Sequence, residues 1–177
     1  NFFYSVFFSC LVNIFCVAQS KKEVEKNRIK SVTENITYYE DKKEITYKEY
    51  YILFNKGGKI LEEINFNKDG SVHKKETFKY DNNKNKIEEF IYKEADKKND
   101  IENKRIACKY NESNDKIEEV EYDFSGKMIK KVIYAYNKMG EKISELHYDG
   151  EGNLKKKTVC SYDKKGLKVK RDCYLPD

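Results

Sequence analysis

Aromatic residues recur along this chain at nearly constant intervals, and that period constrains the fold more than any other feature. They fall at Phe54, Phe66, Tyr80, Tyr92, Tyr110, Tyr122, Tyr136, Tyr148, Tyr162 and Tyr174. The spacings are 12, 14, 12, 18, 12, 14, 12, 14 and 12, so the unit is 26 residues with one insertion of four. A fixed period of this length marks a repeat architecture, in which each unit buries its apolar face against the next. Units begin at Phe54, Tyr80, Tyr110 and Tyr136, and a half unit begins at Tyr162. A degenerate capping unit spans roughly 28–53, where Tyr39 and Tyr47 keep a strand-like alternation.

Each unit holds a short and a long apolar segment. The short ones share one pattern: Leu61, Ile64, Phe66; Ile87, Phe90, Tyr92; Ile117, Val120, Tyr122; Ile143, Leu146, Tyr148. A step of three followed by a step of two breaks strict alternation as one β-bulge between the first two positions does. The long segments alternate, as in Met128, Lys130, Val132, Tyr134 and Tyr136. Period two predicts strands. Between them lie NKDG, DFSG, NKMG, DGEG and DKKG, in which Asp or Asn can bond the backbone two residues on and Gly supplies positive φ. Turns this short demand antiparallel neighbours. The expected fold is therefore all-β: an up-and-down meander of about ten strands forming a single twisted or curled sheet.

The turns also suggest a register. Setting Tyr122 opposite Met128 places Phe66 opposite Val72 and Tyr148 opposite Leu154, apolar against apolar in all three hairpins. The same count sets Glu63 across from Lys75, Glu119 from Lys131 and Glu145 from Lys157, so the charges read as the solvated face of a sheet. Because strands alternate in direction, the aromatics form two rows. Phe54, Tyr80, Tyr110, Tyr136 and Tyr162 line one margin; Phe66, Tyr92, Tyr122, Tyr148 and Tyr174 line the other. Members of a row lie two strands apart, roughly 9.5 Å. Tyr80, Tyr92, Tyr110, Tyr122, Tyr136, Tyr148 and Tyr162 are thus the candidate binding residues. They either cover the apolar stripe of the sheet or form a stacking platform for an extended ligand such as a glycan.

The segments YDFSG, YDGEGN and YDKKG, with Tyr-Asn and Phe-Asn variants over Phe54 to Tyr174, resemble the YD repeats. These are the Rhs-type repeats of bacterial surface and toxin proteins and of teneurins. The resemblance implies a secreted or surface β-repeat sheet that can coil into a shell. It also implies contact with carbohydrate or protein and no catalytic residues in the repeats. This chain is shorter than a toxin-enclosing shell. MORN-like repeats are similar more weakly, since their denser glycines are missing.

Residues 1–19 carry no charge and form one apolar run, whereas the sequence after Ser20 is dense in Lys and Glu. The run reads as a secretory signal peptide with cleavage near Ala18, and a membrane anchor is the alternative. Residues 20–53 form a charged segment with the capping unit, and 54–177 form the repeat domain. A secreted or periplasmic location follows, with an envelope protein or a glycan as partner, no nucleic acid, and no stable membrane insertion after cleavage. Cys108, Cys160 and Cys173 remain beyond the signal. Cys160 and Cys173 read as about four residues out of alignment on neighbouring strands, too far for a disulfide.

Chemistry-bearing constellations are sparse. His73 and His147 sit in different repeats with no triad order around them, and Glu pairs such as Glu118 and Glu119 point to opposite strand faces. Asp149 to Asn153 lacks EF-hand spacing, and no phosphate loop or zinc spacing is present. No catalytic residue, metal or cofactor is expected. The expected function is a secreted, non-enzymatic binding or scaffold module of the bacterial cell envelope. Carbohydrate or peptidoglycan binding through the aromatic rows is one alternative, and a protein-interaction or toxin-immunity role is the other.

Overall fold

The computed structural model describes residues 21–93 and 103–176. The expected signal segment and most of the charged insertion lie outside the described residues. A helix, α1 (Lys21–Lys26), precedes β1 (Ser31–Glu40), β2 (Lys43–Phe54), β3 (Ile60–Phe66), β4 (Val72–Tyr80) and β5 (Lys86–Lys93). After the insertion come β6 (Lys104–Tyr110), β7 (Lys116–Asp123), β8 (Met128–Tyr136), β9 (Lys142–Asp149), β10 (Leu154–Tyr162) and β11 (Lys168–Tyr174). All eleven strands form one antiparallel sheet in sequence order, with β1 and β11 as its two edges. The expected meander is this sheet. The capping unit supplies β1 and β2, joined at Asp41 and Lys42, both with positive φ (50° and 62°).

The turns are built by the first residue of each Asx-x-x-Gly. At Asp123 the N–H donates to the Lys127 carbonyl (2.9 Å) and the Gly126 N–H returns to the Asp123 carbonyl (3.1 Å). The Asp123 carboxylate accepts from the Lys127 N–H (2.9 Å) and the Ser125 hydroxyl (2.6 Å). Asn137, Asp149 and Asp163 repeat the arrangement. These hydrogen bonds favour the ionised side chain and hold the carboxyls of Asp123 and Asp149 below the usual range. In two turns the glycine position is taken by Lys84 (φ 69°) and Asn114 (φ 66°).

The expected apolar pairs Phe66–Val72, Tyr122–Met128 and Tyr148–Leu154 are present. The expected ion pairs are not, because the register slips by one residue directly after each of these turns. Glu63 faces Glu76, Glu119 faces Val132 and Glu145 faces Thr158. The slip is a two-against-one bulge. Leu61, Ile87, Ile117 and Ile143 are left without an opposite residue in the short strands, so the bulge falls on the first position of the sequence pattern and not between its first two. His73, Ile129 and Lys155 are left over in the same way in the long strands, which the sequence presented as regular. Bulges also strengthen local twist. The slip brings Cys160 opposite Arg171 and Cys173 opposite Thr158, so the two thiols are two residues out of step rather than four. At that diagonal, about 7–8 Å, they stay unbridged, and all three cysteines are free thiols.

Alternation from this register separates two faces. Face one carries Ile52, Ile91, Cys108, Val132 and Thr158, all buried, and is the more enclosed; face two carries buried Val120. Glu63, Glu89, Glu119 and Glu145 lie on face one, so these charges do not belong to the open side of the sheet. They serve in place of a packed layer. Lys86 lies over the Phe78 ring (5.3 Å) and Lys142 over Tyr134 (5.2 Å), their ammonium groups anchored by Glu89 and Glu145. Lys116 is held by Glu119 (2.7 Å) in the same way. The lysine stems cover apolar surface while their heads stay wet.

One position on this face breaks the pattern. Thr158 is 2% exposed and its hydroxyl has no hydrogen-bond partner, whereas Val132 and Ile106 occupy the same place in the preceding units. Thr158→Val removes an unpaired buried hydroxyl at nearly constant shape. It is expected to stabilise the protein by about 1 kcal/mol, measured as a higher urea midpoint with an unchanged slope.

Candidate functional site

The two tyrosine rows lie on opposite faces. Tyr80 and Tyr136 alternate with Phe78 and Tyr134 on face one, whereas Tyr92, Tyr122 and Tyr148 share face two with Phe90, Val120 and Leu146. Nothing in the sequence period distinguishes the rows, because both repeat every 26 residues.

Row one is part of the framework. The hydroxyls of Tyr80, Tyr110, Tyr136 and Tyr162 donate to the carbonyls of Ile60 (2.8 Å), Lys86 (3.0 Å), Lys116 (2.9 Å) and Lys142 (2.9 Å). Each acceptor opens the short strand directly beside the long strand that the tyrosine ends, so each tyrosine ties the ends of two neighbouring strands together. Burial pushes the phenols of Tyr80, Tyr110 and Tyr136 up. With their hydroxyls already engaged and their rings half-buried, these candidates are structural residues.

Row two is organised differently. Among the described residues, no protein group hydrogen-bonds the hydroxyls of Tyr92, Tyr122, Tyr148 or Tyr174. Each of these rings is paired directly with a cation on the preceding long strand: Tyr92 with Lys75, Tyr122 with Arg105, Tyr148 with Lys131, Tyr174 with Lys157. The Arg105 guanidinium lies 4.5 Å from the Tyr122 ring centre, and the ammonium groups of Lys131 and Lys48 lie 5.3 Å from those of Tyr148 and Phe66. The result is a ladder of five ring and cation rungs, roughly 9.5 Å apart at two strand spacings each. On their other sides Tyr122 and Tyr148 meet Met128 and Leu154. The Tyr122 and Tyr148 rings therefore stand between a cation on one side and an apolar residue on the other.

The charge on face two is uneven along the ladder. Glu62 is held by Lys75 (2.6 Å), Glu88 by Lys79 (2.6 Å) and Arg105 (2.9 Å), and Glu118 by Lys109 (2.6 Å). Hydrogen bonds from Lys79 and Arg105 keep the Glu88 carboxyl below its ordinary range, against the opposing effect of burial. In the fourth unit Ser144 takes the corresponding place. Lys48, Lys131 and Lys157 have no carboxylate within ion-pair distance among the described residues. A signal for this ladder was present in the sequence: each cation precedes its tyrosine by 17 residues, at 75 and 92, 105 and 122, 131 and 148, 157 and 174.

The remaining polar groups sit in structural settings. His147 approaches Glu145 at 3.5 Å, but Lys142 already anchors that carboxylate, and His73 is exposed. Among the described residues, no group of three His, Cys, Asp or Glu is arranged to hold a metal ion. Glu63 is the exception on face one, because Ile60 stands where Lys86, Lys116 and Lys142 stand in later units. Burial and the facing Glu76 push its carboxyl up, with Tyr50 and Lys74 only partly offsetting them. A raised folded value means that its favourable contribution is present at acid pH and lost as pH rises through that value. Glu63→Gln is therefore expected to be more stable than the parent near pH 7 and equal to it near pH 3, in urea titrations at both.

No protein-family model matches this sequence. No curated protein sequence matches it either. Among solved structures it is similar to a porin-like protein from Bacteroides uniformis, at 12% identity and a TM-score of 0.38 over 76% of this chain and 51% of that one. It is also similar to the TcdB2-TccC3-TEV structure, at 12% identity and a TM-score of 0.35 over 82% of this chain and 11% of that one. This chain thus spans about half of the first protein and about a tenth of the second. Neither likeness is close enough to transfer a function. The chain is a β-hairpin repeat protein, and its own residues define the site.

Proposed function

We propose that this chain is an exported, non-catalytic binding module whose ligand, an extended carbohydrate, lies along face two across successive hairpins. The observation that carries this reading is the contrast between the rows. Row one commits its hydroxyls to the backbone, whereas row two leaves four phenols beside cations without a protein acceptor. A regular series of donors at fixed spacing suits a polymer better than a compact small molecule. The test is the double variant Tyr122→Ala with Tyr148→Ala, assayed on a glycan array beside the parent with far-UV circular dichroism as the fold control. Binding is expected to fall at least tenfold with the spectrum unchanged; undiminished binding rules this face out. A robust hydrolytic activity abolished by changing His147 or Asp149 would overturn the non-catalytic part.

A second reading, protein pairing through the edge strand β11, is favoured by the exposure of Leu167, Val169, Tyr174 and Leu175 along it. It predicts a protein that co-purifies from envelope extracts and is released when Val169 and Tyr174 are changed to Lys.

A further inference from the structure

We infer that the ladder on face two selects an acidic polysaccharide, one that carries a negative charge on alternate sugars. This rests on the carbohydrate reading above and adds the ligand's charge and its spacing. Every rung but that of Phe66 pairs a phenol with a cation directly across on the neighbouring strand. Both donate hydrogen bonds, and a carboxylate or sulfate accepts from both at once. Rungs roughly 9.5 Å apart match the repeat of two linked sugar rings, so alternating charge on the polymer meets successive rungs. Of the rungs that carry a phenol, those of Lys131 and Lys157 have no competing carboxylate among the described residues, whereas Arg105 is shared with Glu88 at 2.9 Å. The fourth and fifth rungs, Lys131 with Tyr148 and Lys157 with Tyr174, are therefore the high-affinity end of the ladder.

Nucleic acid fits this surface poorly. Duplex DNA spaces phosphates about 3.4 Å apart along one strand, far denser than the rungs. Single-stranded nucleic acid is held by bases stacked on open aromatic faces. Here Arg105 and Met128 flank Tyr122, and Lys131 and Leu154 flank Tyr148.

The experiment measures binding of the full chain to three immobilised polymers by biolayer interferometry. They are a polysaccharide of alternating uronic acid and neutral N-acetyl sugar, the same polymer with its carboxyls reduced to alcohols, and a single-stranded oligonucleotide of equal length. Binding is expected to the acidic polymer, to weaken as salt is raised, and to drop at least tenfold on carboxyl reduction. Lys131→Met and Lys157→Met should each lower affinity roughly tenfold, the size expected for one charge-assisted hydrogen bond, with no change in melting temperature. Lys130→Met, on face one and paired there with Glu121 at 2.9 Å, should leave binding unchanged. Equal binding of the acidic and reduced polymers would overturn the charge selectivity while leaving the carbohydrate reading intact. Binding to neither sugar polymer, or tighter binding to the oligonucleotide, would overturn both.

Discussion

Tyr136→Ala is expected to cost roughly 2.5–3.5 kcal/mol, the sum of half of what a fully buried aromatic loses on truncation and about 1 kcal/mol for the hydroxyl bond. The ring is half-buried on face one, and its hydroxyl donates to the Lys116 carbonyl at 2.9 Å. The loss strikes both arms of one hairpin, because that acceptor opens β7, the strand paired with β8. For a chain of this size each kcal/mol moves the melting temperature by about 2–4 °C, so a fall of roughly 5–10 °C is expected. In a repeat array stability is close to a sum over units and their interfaces. Hydrogen exchange should therefore quicken first in β7 and β8 and stay near the parent's rate in β3 and β4. Uniform loss of protection would mean that the hydroxyl ties do not act locally.

Gly58→Ala is the second large effect. Gly58 has a φ of +67°, and a Cβ there would stand 2.8 Å from the Lys21 carbonyl oxygen and 3.2 Å from the Lys21 Cγ. The left-handed conformation alone costs a non-glycine residue about 1–2 kcal/mol. The clash further displaces α1, whose Val24 is 2% exposed and whose burial contributes about 1.5–3 kcal/mol. A total of roughly 3 kcal/mol is expected, together with proteolytic nicking between Lys21 and Lys30 under native conditions. Gly126→Ala is the control: its φ is +87° but nothing lies within 4 Å of an added Cβ. It should cost only about 1–2 kcal/mol. Equal losses at the two positions would show that α1 does not rest on this turn.

The strands and turns were legible in the sequence because both are local. Tyr-Asp-x-x-Gly punctuates the chain through one side chain and one backbone angle, and the broken step at Leu61, Ile87, Ile117 and Ile143 marked the short-strand bulges. Two of the long-strand bulges were hidden because His73 and Lys155 are polar residues in alternating surroundings, where a slipped register leaves no apolar mismatch. Glu63, Glu119 and Glu145 were assigned to the open side because the sequence does not show which of the two faces is the more enclosed. Helix α1 gave no signal, since one apolar residue in Lys-Lys-Glu-Val-Glu-Lys has no period. The division between the tyrosine rows was also hidden, since it depends on which carbonyl of the adjacent strand lies within reach of each hydroxyl. Only the 17-residue offset between each cation and its tyrosine recorded it.

The most direct test of that division compares two double variants that remove hydroxyls and keep rings. Tyr136→Phe with Tyr162→Phe should lose about 2 kcal/mol of stability and bind the acidic polymer like the parent. Tyr122→Phe with Tyr148→Phe should melt like the parent and bind at least tenfold more weakly. If both pairs lower only stability, or if the row-one pair abolishes binding while the row-two pair does not, the assignment of one row to structure and the other to ligand is wrong.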